Sequence, residues 1–275
     1  MSIRPQLQLA VVAALVAIAA AAPAAAQSTD RNAFTWEGRI PENRWIVVRN
    51  LNGDVRVERG GGDRVEVTAT KRWRRGNPDD VRIEVKPSST RDGSMVVCAL
   101  WNDRTECDEA RYNTNNRGWG NDRDDNRNDV SVEIVVRVPA GVRVNVNTVN
   151  GEVAVSGATA EVIARSVNGD ARVETSGGPA RVHTVNGSVI ARMRTLGDAD
   201  DLDFSTVNGS VSVEVPSSFG GQVEMSTVNG SLNTEFPATM SGRISPRRLR
   251  LTVGDGSRHM KLSTVNGSID LRKGR

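Results

Sequence analysis

Val-Asn-Gly occurs six times in this chain, with glycines at Gly151, Gly169, Gly187, Gly209, Gly230 and Gly267. Average residue usage predicts on the order of 0.05 occurrences in a chain of this size. The glycine spacings are 18, 18, 22, 21 and 37 residues, and Leu51-Asn52-Gly53-Asp54 is a diverged copy of the same unit. A period of about 20 residues is that of stacked coils, in which each unit buries its apolar face only against its neighbours.

Apolar residues alternate on both sides of each turn. Leu202, Phe204 and Thr206 lead into Val207-Asn208-Gly209, and Val211, Val213 and Val215 lead out. Period two is the mark of half-buried strands, so the turns Asn150-Gly151, Asn168-Gly169, Asn186-Gly187, Asn208-Gly209, Asn229-Gly230 and Asn266-Gly267 are structural corners, with Asn and Gly supplying a left-handed bend. Asn-Gly is also a strong hairpin signal. The near-identity of successive turns favours coils over hairpins, because stacked coils set like on like and let asparagines form a ladder. The expected fold is an all-β parallel β-solenoid, right-handed by analogy, with an irregular N-terminal cap; the alternative is an antiparallel β-sandwich or meander. The Asn-x-Ser matches at Asn186, Asn208, Asn229 and Asn266 follow from turn geometry and do not call for glycans.

Aromatic residues make up only 4% of the chain, so small and β-branched side chains must fill the interior. The 36 Lys and Arg are nearly balanced by 33 Asp and Glu, and their interleaving gives no clustered basic footprint for nucleic acid.

Residues 1–26 hold Arg4, an apolar run from Leu9 to Ala22, and Pro23 with the small exit Ala24-Ala25-Ala26. This reads as a cleavable signal peptide. No second hydrophobic segment follows, so a periplasmic or secreted protein with no transmembrane segment after cleavage is expected. Residues 27–275 then form a single domain: 27–100 the cap and first coils, 101–130 a polar loop, 131–275 the repeat coils. An exported chain meets oxidising conditions, and Cys98 and Cys107 are expected to pair and tether that loop.

The TVNGS repeats, the export signal and the closing stretch Leu262–Leu271 resemble a bacterial family of β-strand-repeat domains of unknown function, often labelled adhesins. Val138-Pro139-Ala140-Gly141 before the first strong repeat and Pro246-Arg247-Arg248-Leu249 before the last are similar to it as well. The resemblance implies an extended all-β domain of the cell envelope and brings no catalytic motif with it.

The remaining segments break the period. All five Trp (Trp36, Trp45, Trp73, Trp101 and Trp119) precede residue 120 and are expected to plug the open end of the stack. Residues 102–129 contain seven Asn, six Asp and five Arg, the composition of a solvated loop. Leu249–Val253 and His259–Ser263 flank Gly254-Asp255-Gly256 and read as a hairpin. The nine Lys and Arg from Arg243 onward are expected to guard an exposed last strand.

Candidate chemistry is sparse. Asp122, Asp124 and Asn126, with Glu133 twelfth from Asp122, partly fit a calcium loop, but Arg127 stands where the sharp-turn glycine belongs. Asp198, Asp200, Asp201 and Asp203 form a carboxylate group of the kind polysaccharide-active β-helix enzymes use. Here, alternation around Leu202 explains them as a strand entrance. His183 falls where sister repeats carry Ser205, Ser226 and Ser263, so it should point outward and serves no catalytic triad. Trp101, Tyr112 and Trp119 are the candidate ligand-binding residues, because flat aromatic faces beside polar groups suit sugars. The sequence thus predicts a non-catalytic, cofactor-free envelope protein that binds envelope polysaccharide or a surface protein. The alternatives are a polysaccharide-active enzyme and a purely structural element.

Overall fold

The computed structural model describes residues 28–29, 32–102, 105–113, 128–197, 201–237, 239–240 and 245–274. The expected signal peptide, Trp119, Asp122, Asp124, Asn126, Asp198 and Asp200 lie outside the described residues.

In chain order, β1 (Ser28–Thr29) and β2 (Ala33–Gly38) precede β3 (Trp45–Arg49) and β4 (Val55–Arg59), which flank the corner at Asn52. Then come β5 (Val65–Arg72), a 3-10 turn at Pro78–Asp80, β6 (Arg82–Pro87), β7 (Met95–Leu100), a small hairpin of β8 (Glu106–Cys107) and β9 (Tyr112–Asn113), and β10 (Ser131–Val138). Regular coils follow as β11 (Arg143–Asn147) with β12 (Val153–Ala158), β13 (Val162–Arg165) with β14 (Ala171–Thr175), and β15 (Ala180–His183) with β16 (Val189–Met193). They continue as β17 (Asp201–Ser205) with β18 (Val211–Pro216) and β19 (Gly221–Ser226) with β20 (Leu232–Thr234). After β21 (Thr239–Met240) and β22 (Arg248–Val253), the last coil is β23 (Arg258–Ser263) with β24 (Ile269–Gly274).

The strand after each corner joins one eleven-stranded sheet, sheet I, ordered β1-β2-β5-β10-β4-β12-β14-β16-β18-β24-β20. The strand before each corner joins a second, sheet II, ordered β21-β22-β19-β23-β17-β15-β13-β11-β3-β7-β6. Successive coils pair in parallel, so the chain is the expected β-solenoid and not the antiparallel alternative. Among the described residues antiparallel pairing lies outside the coils: β5, β2 and β1 beyond β10, β6 beyond β7, β22 and β21 beyond β19, and the β8-β9 hairpin.

The corners explain the repeat residue by residue. Bridges link Asn52, Asn150, Asn168, Asn186, Asn208, Asn266 and Asn229 in that spatial order. From Asn168 onward each side-chain amide donates to the previous Oδ1 at 2.8 Å, five bonds joining six asparagines from Asn150 to Asn229. The ladder lies on an exposed edge and not in the interior. Its asparagines do not supply the left-handed bend either: among the described residues Asn43 is the one non-glycine with positive φ. Glycine is required by close approach, since a Cβ on Gly209 would sit 2.0 Å from the Gly187 carbonyl oxygen. That same carbonyl accepts the Thr206 hydroxyl at 2.8 Å, and Ser166, Thr184 and Thr264 bond the glycine of the coil beneath in the same way. The hydroxyl thus gives the corner glycine carbonyl a hydrogen-bond donor, while the backbone N–H groups of the corner bond the neighbouring Asn carbonyls.

Side chains between the sheets form one continuous core. Val and Ala fill the middle coils, while Leu202, Phe204, Met225, Met260 and Leu262 fill the C-terminal ones, all essentially inaccessible. The four described tryptophans do not form a plug. Trp36 is buried in the main core and Trp101 packs partly buried against it, but Trp73 is exposed and Trp45 lies on the outer face of sheet II in a separate cluster.

Two further expectations are corrected. β22 and β23 do not form a hairpin: β19 lies between them, antiparallel to β22 and parallel to β23. The C-terminal strand β24 is not an edge, because it is held between β18 and β20. β20 covers only Ile269–Leu271, and Arg272 and Lys273 pair with β18 alone among the described strands.

Candidate functional site

The outer face of sheet II carries the densest unusual chemistry. Residues pointing outward alternate with core residues, so β3, β11 and β13 set Arg49, Asn147 and Arg165 in one transverse row and Val47, Asn145 and Ile163 in the next. The first row continues through His183, Ser205, Ser263 and Ser226. His183 is outward-facing, as expected, and its Nδ1 lies 2.7 Å from Ser205 Oγ.

Over the N-terminal part of this face folds the β8-β9 hairpin. The disulfide Cys98–Cys107 fixes it to β7, as the cysteine spacing predicts. The segment is therefore more than a solvated loop: Cys107, Cys98, Trp45, Val47, Val96 and Leu100 make a second apolar cluster against which Tyr112 and Ile163 pack. Asp108 shapes the hairpin turn by accepting from the backbone N–H groups of Arg111 and Ala110 at 2.6 and 2.7 Å. The Arg111 bond foremost, and then the Ala110 bond, holds the Asp108 carboxyl below its usual range. The Tyr112 hydroxyl donates to the Ala99 carbonyl at 2.7 Å, and burial pushes its phenol above the ordinary value.

Between hairpin and sheet lies a groove of about 700 Å³, lined by Arg49, Arg91, Glu109, Tyr112, Asn147 and Arg165 among others. Arg49 is only 7% exposed. Its guanidinium bonds the Glu109 backbone oxygen and approaches Asn145 Oδ1 at 3.5 Å. Burial first, and the charge of Arg165 second, pull its pKa down to about 10. Glu109 is buried too, its carboxylate accepting from Ser88 Oγ at 2.5 Å, Thr90 Oγ1 at 2.6 Å and Arg91 Nε at 2.9 Å. The guanidiniums of Arg91 and Arg143 stack on Trp45, 4.9 and 5.8 Å from the ring centre, a cation–π arrangement that fixes the groove's flank.

Of the three aromatic candidates, Tyr112 lines the groove, Trp101 packs partly buried against the main core, and Trp119 is outside the described residues. Arg49, Glu109, Asn145, Asn147 and Arg165 were not singled out by the sequence reading. The available signal was the pair of asparagines at outward positions in the strand Arg143–Asn147. Asp201 and Asp203 face outward around the buried Leu202, as alternation predicts. Asp201 lies 3.7 Å from Arg181. Glu133, the one described member of the calcium pattern, is engaged by Arg56 and, at 2.9 Å, by Arg72. Among the described residues no group of three or more His, Cys, Asp or Glu side chains is placed to hold a metal ion, and no helix is long and apolar enough to cross a membrane.

No curated protein matches the sequence. The fold is similar to a crystal structure of a "putative cell adhesion protein" from Clostridium sporogenes at 9% identity and a TM-score of 0.47, covering 86% of this chain and 99% of that one. It is also similar to a "putative adhesin" from Bacteroides fragilis, at 10% identity and a TM-score of 0.36, covering 89% of this chain and 98% of that one. A third, from Parabacteroides distasonis, gives 12% identity and a TM-score of 0.25 over 88% and 97% of the two chains. The sequence profile of the Toastrack DUF4097 family matches residues 124–272, which is more than half of the chain and spans every Val-Asn-Gly corner. This chain belongs to the Toastrack DUF4097 family.

Proposed function

We propose that the protein is a non-catalytic binding module exported to the cell envelope, where a rigid solenoid presents the groove on sheet II to an envelope polysaccharide or a surface protein. The observation that carries the reading is the groove itself, roofed by a disulfide-fixed hairpin and floored by three consecutive coils. Such a site is pre-organised: ligand ordering costs fall when the receptor side chains are already held. The leader at residues 1–26 and the disulfide both fit an oxidising compartment outside the cytoplasm.

The test is co-sedimentation of residues 27–275 with purified envelope polysaccharide and with peptidoglycan, comparing the wild type with Asn147→Trp. That substitution fills the groove floor with bulk and alters no charge. Saturable binding lost in the variant, with an unchanged β-type circular dichroism spectrum, supports the reading. Binding unaffected by Asn147→Trp would sink it, and release of reducing ends from the polysaccharide would replace it with an enzymatic role.

A further inference from the structure

We propose that the groove is an anion site that takes the carboxylate of an acidic saccharide between Arg49 and Arg165. The inference rests on reading the groove as a binding site and adds the chemistry of what it holds.

The charge balance of the lining points this way. Three guanidiniums, from Arg49, Arg91 and Arg165, face the groove against the single carboxylate of Glu109. That carboxylate is fully used by Arg91, Ser88 and Thr90. What Arg49 receives in its buried position is a backbone oxygen and a side-chain amide oxygen, both neutral. Burial and the charge of Arg165 outweigh the through-space attraction of the Glu109 and Asp108 carboxylates, so an incoming anion adds compensation that the neutral hydrogen-bond acceptors do not supply. Arg165 forms no ion pair among the described residues; partial burial first and the charge of Arg181 second disfavour its cationic form, and Asp203 favours it.

The register supplies the geometry. Arg49, Asn147 and Arg165 are direct neighbours on β3, β11 and β13. Their backbones thus place the two arginines two strand spacings apart, roughly 9–10 Å, and the long side chains can converge on one carboxylate. Planar guanidinium forks match a carboxylate in bidentate fashion.

The other groups lining the groove select a sugar over a small inorganic anion. Asn147 donates to Asn145 Oδ1 at 2.8 Å, which orients Asn147 Oδ1 as an acceptor for a hydroxyl group, while Ile163 and the ring of Tyr112 offer apolar surface for the face of a pyranose. A free phosphate or sulfate would leave those four residues without a role.

Isothermal titration calorimetry with oligogalacturonate and with its methyl ester tests the assignment, because esterification removes the carboxylate charge and leaves the sugar hydroxyl groups unchanged. The wild type is expected to bind the acid form saturably and the ester at least tenfold more weakly. Arg165→Gln, an exposed substitution, is expected to weaken acid-form binding about tenfold or more. Arg49→Met, which keeps volume without charge, should do the same in protein whose circular dichroism is native. Asn147→Trp should abolish binding. Equal binding of acid and ester, abolished by Asn147→Trp, would overturn the anion assignment while leaving the groove reading intact. Acid-form binding that survives Asn147→Trp would place the anion elsewhere on the surface and overturn the proposal. Failure to bind either ligand would overturn it as well, with the co-sedimentation result then deciding separately whether the groove binds anything.

Discussion

Asn266 donates its side-chain amide to Asn208 Oδ1 at 2.8 Å across 58 residues of sequence, and accepts from Asn229 at the same distance. The last coil of the chain is thus the penultimate coil of the stack, slotted between the coils that carry Asn208 and Asn229. The N-terminal end is built the same way. β3 and β4 lie between the coil formed by β7 and β10 and the coil formed by β11 and β12. Both ends of the solenoid are therefore closed by chain that has doubled back, with antiparallel strands outside it.

The ladder makes a graded prediction. Asn208→Ala removes one bond to Asn186 and one from Asn266. Each exposed amide bond contributes on the order of 0.5–1.5 kcal/mol net, so urea denaturation should show a loss of about 1–2 kcal/mol. Asn208→Asp should lose more, because it sets a carboxylate oxygen against the Asn186 carbonyl oxygen where a donor stood.

Glycine at the corners should be far less tolerant than glycine elsewhere. A Cβ on Gly209 meets the Gly187 carbonyl at 2.0 Å, whereas one on Gly61 meets nothing within 4 Å. Gly209→Ala is expected to prise two coils apart, costing at least about 3 kcal/mol or abolishing soluble expression. Gly61→Ala should stay within about 0.5 kcal/mol of the wild type. Thermal unfolding of the two variants side by side checks this.

The disulfide should hold the hairpin but not the solenoid. For so short a loop the chain-entropy estimate is at most about 2–3 kcal/mol, and the main core does not include the hairpin. Tyr112 is the only tyrosine in the chain, so absorbance titration of its phenol reports on this site alone. In the oxidised protein it should ionise above the ordinary tyrosine range, because of burial. In Cys98→Ser/Cys107→Ser it should fall back towards that range, with the β-type circular dichroism retained.

His183 gives a pH dependence of defined sign. Burial is the main cause of its lowered pKa; Arg165, Arg181 and Lys261 act in the same direction and Asp203 opposes them. The unfolded chain therefore binds the proton more readily. Stability should be fully present above the unfolded value near 6.5 and fall as the pH drops through the lower folded value. The urea midpoint should decline on acidification below neutrality, and His183→Gln should flatten that part of the profile.

Much of the fold was legible because its determinants are local. Alternation around Leu202 assigns Asp201 and Asp203 outward, the six near-identical corners predict an asparagine ladder, and the diverged Leu51-Asn52-Gly53 takes its place in the stack. The candidate site was legible only in part. Tyr112 and the Cys98–Cys107 tether could be anticipated, whereas Arg49, Asn145, Asn147 and Arg165 look like ordinary outward-facing strand residues until the hairpin covers them.

Repeat period, strand alternation, the need for glycine at each corner and the pairing of two nearby cysteines all follow from chemistry within a coil or between adjacent ones, and are written in the order of the residues. The order of the coils did not follow. Corners built from the same Thr-Val-Asn-Gly stack equally well on one another, so nothing local distinguishes Asn229 from Asn266 as the neighbour of Asn208. Side chains at the ends, where β19 parts β22 from β23 and β7 meets the hairpin, break that degeneracy only in three dimensions. The tertiary structure alone therefore decided which coil lies inside at each end, and which outward residues of sheet II become the floor of a groove.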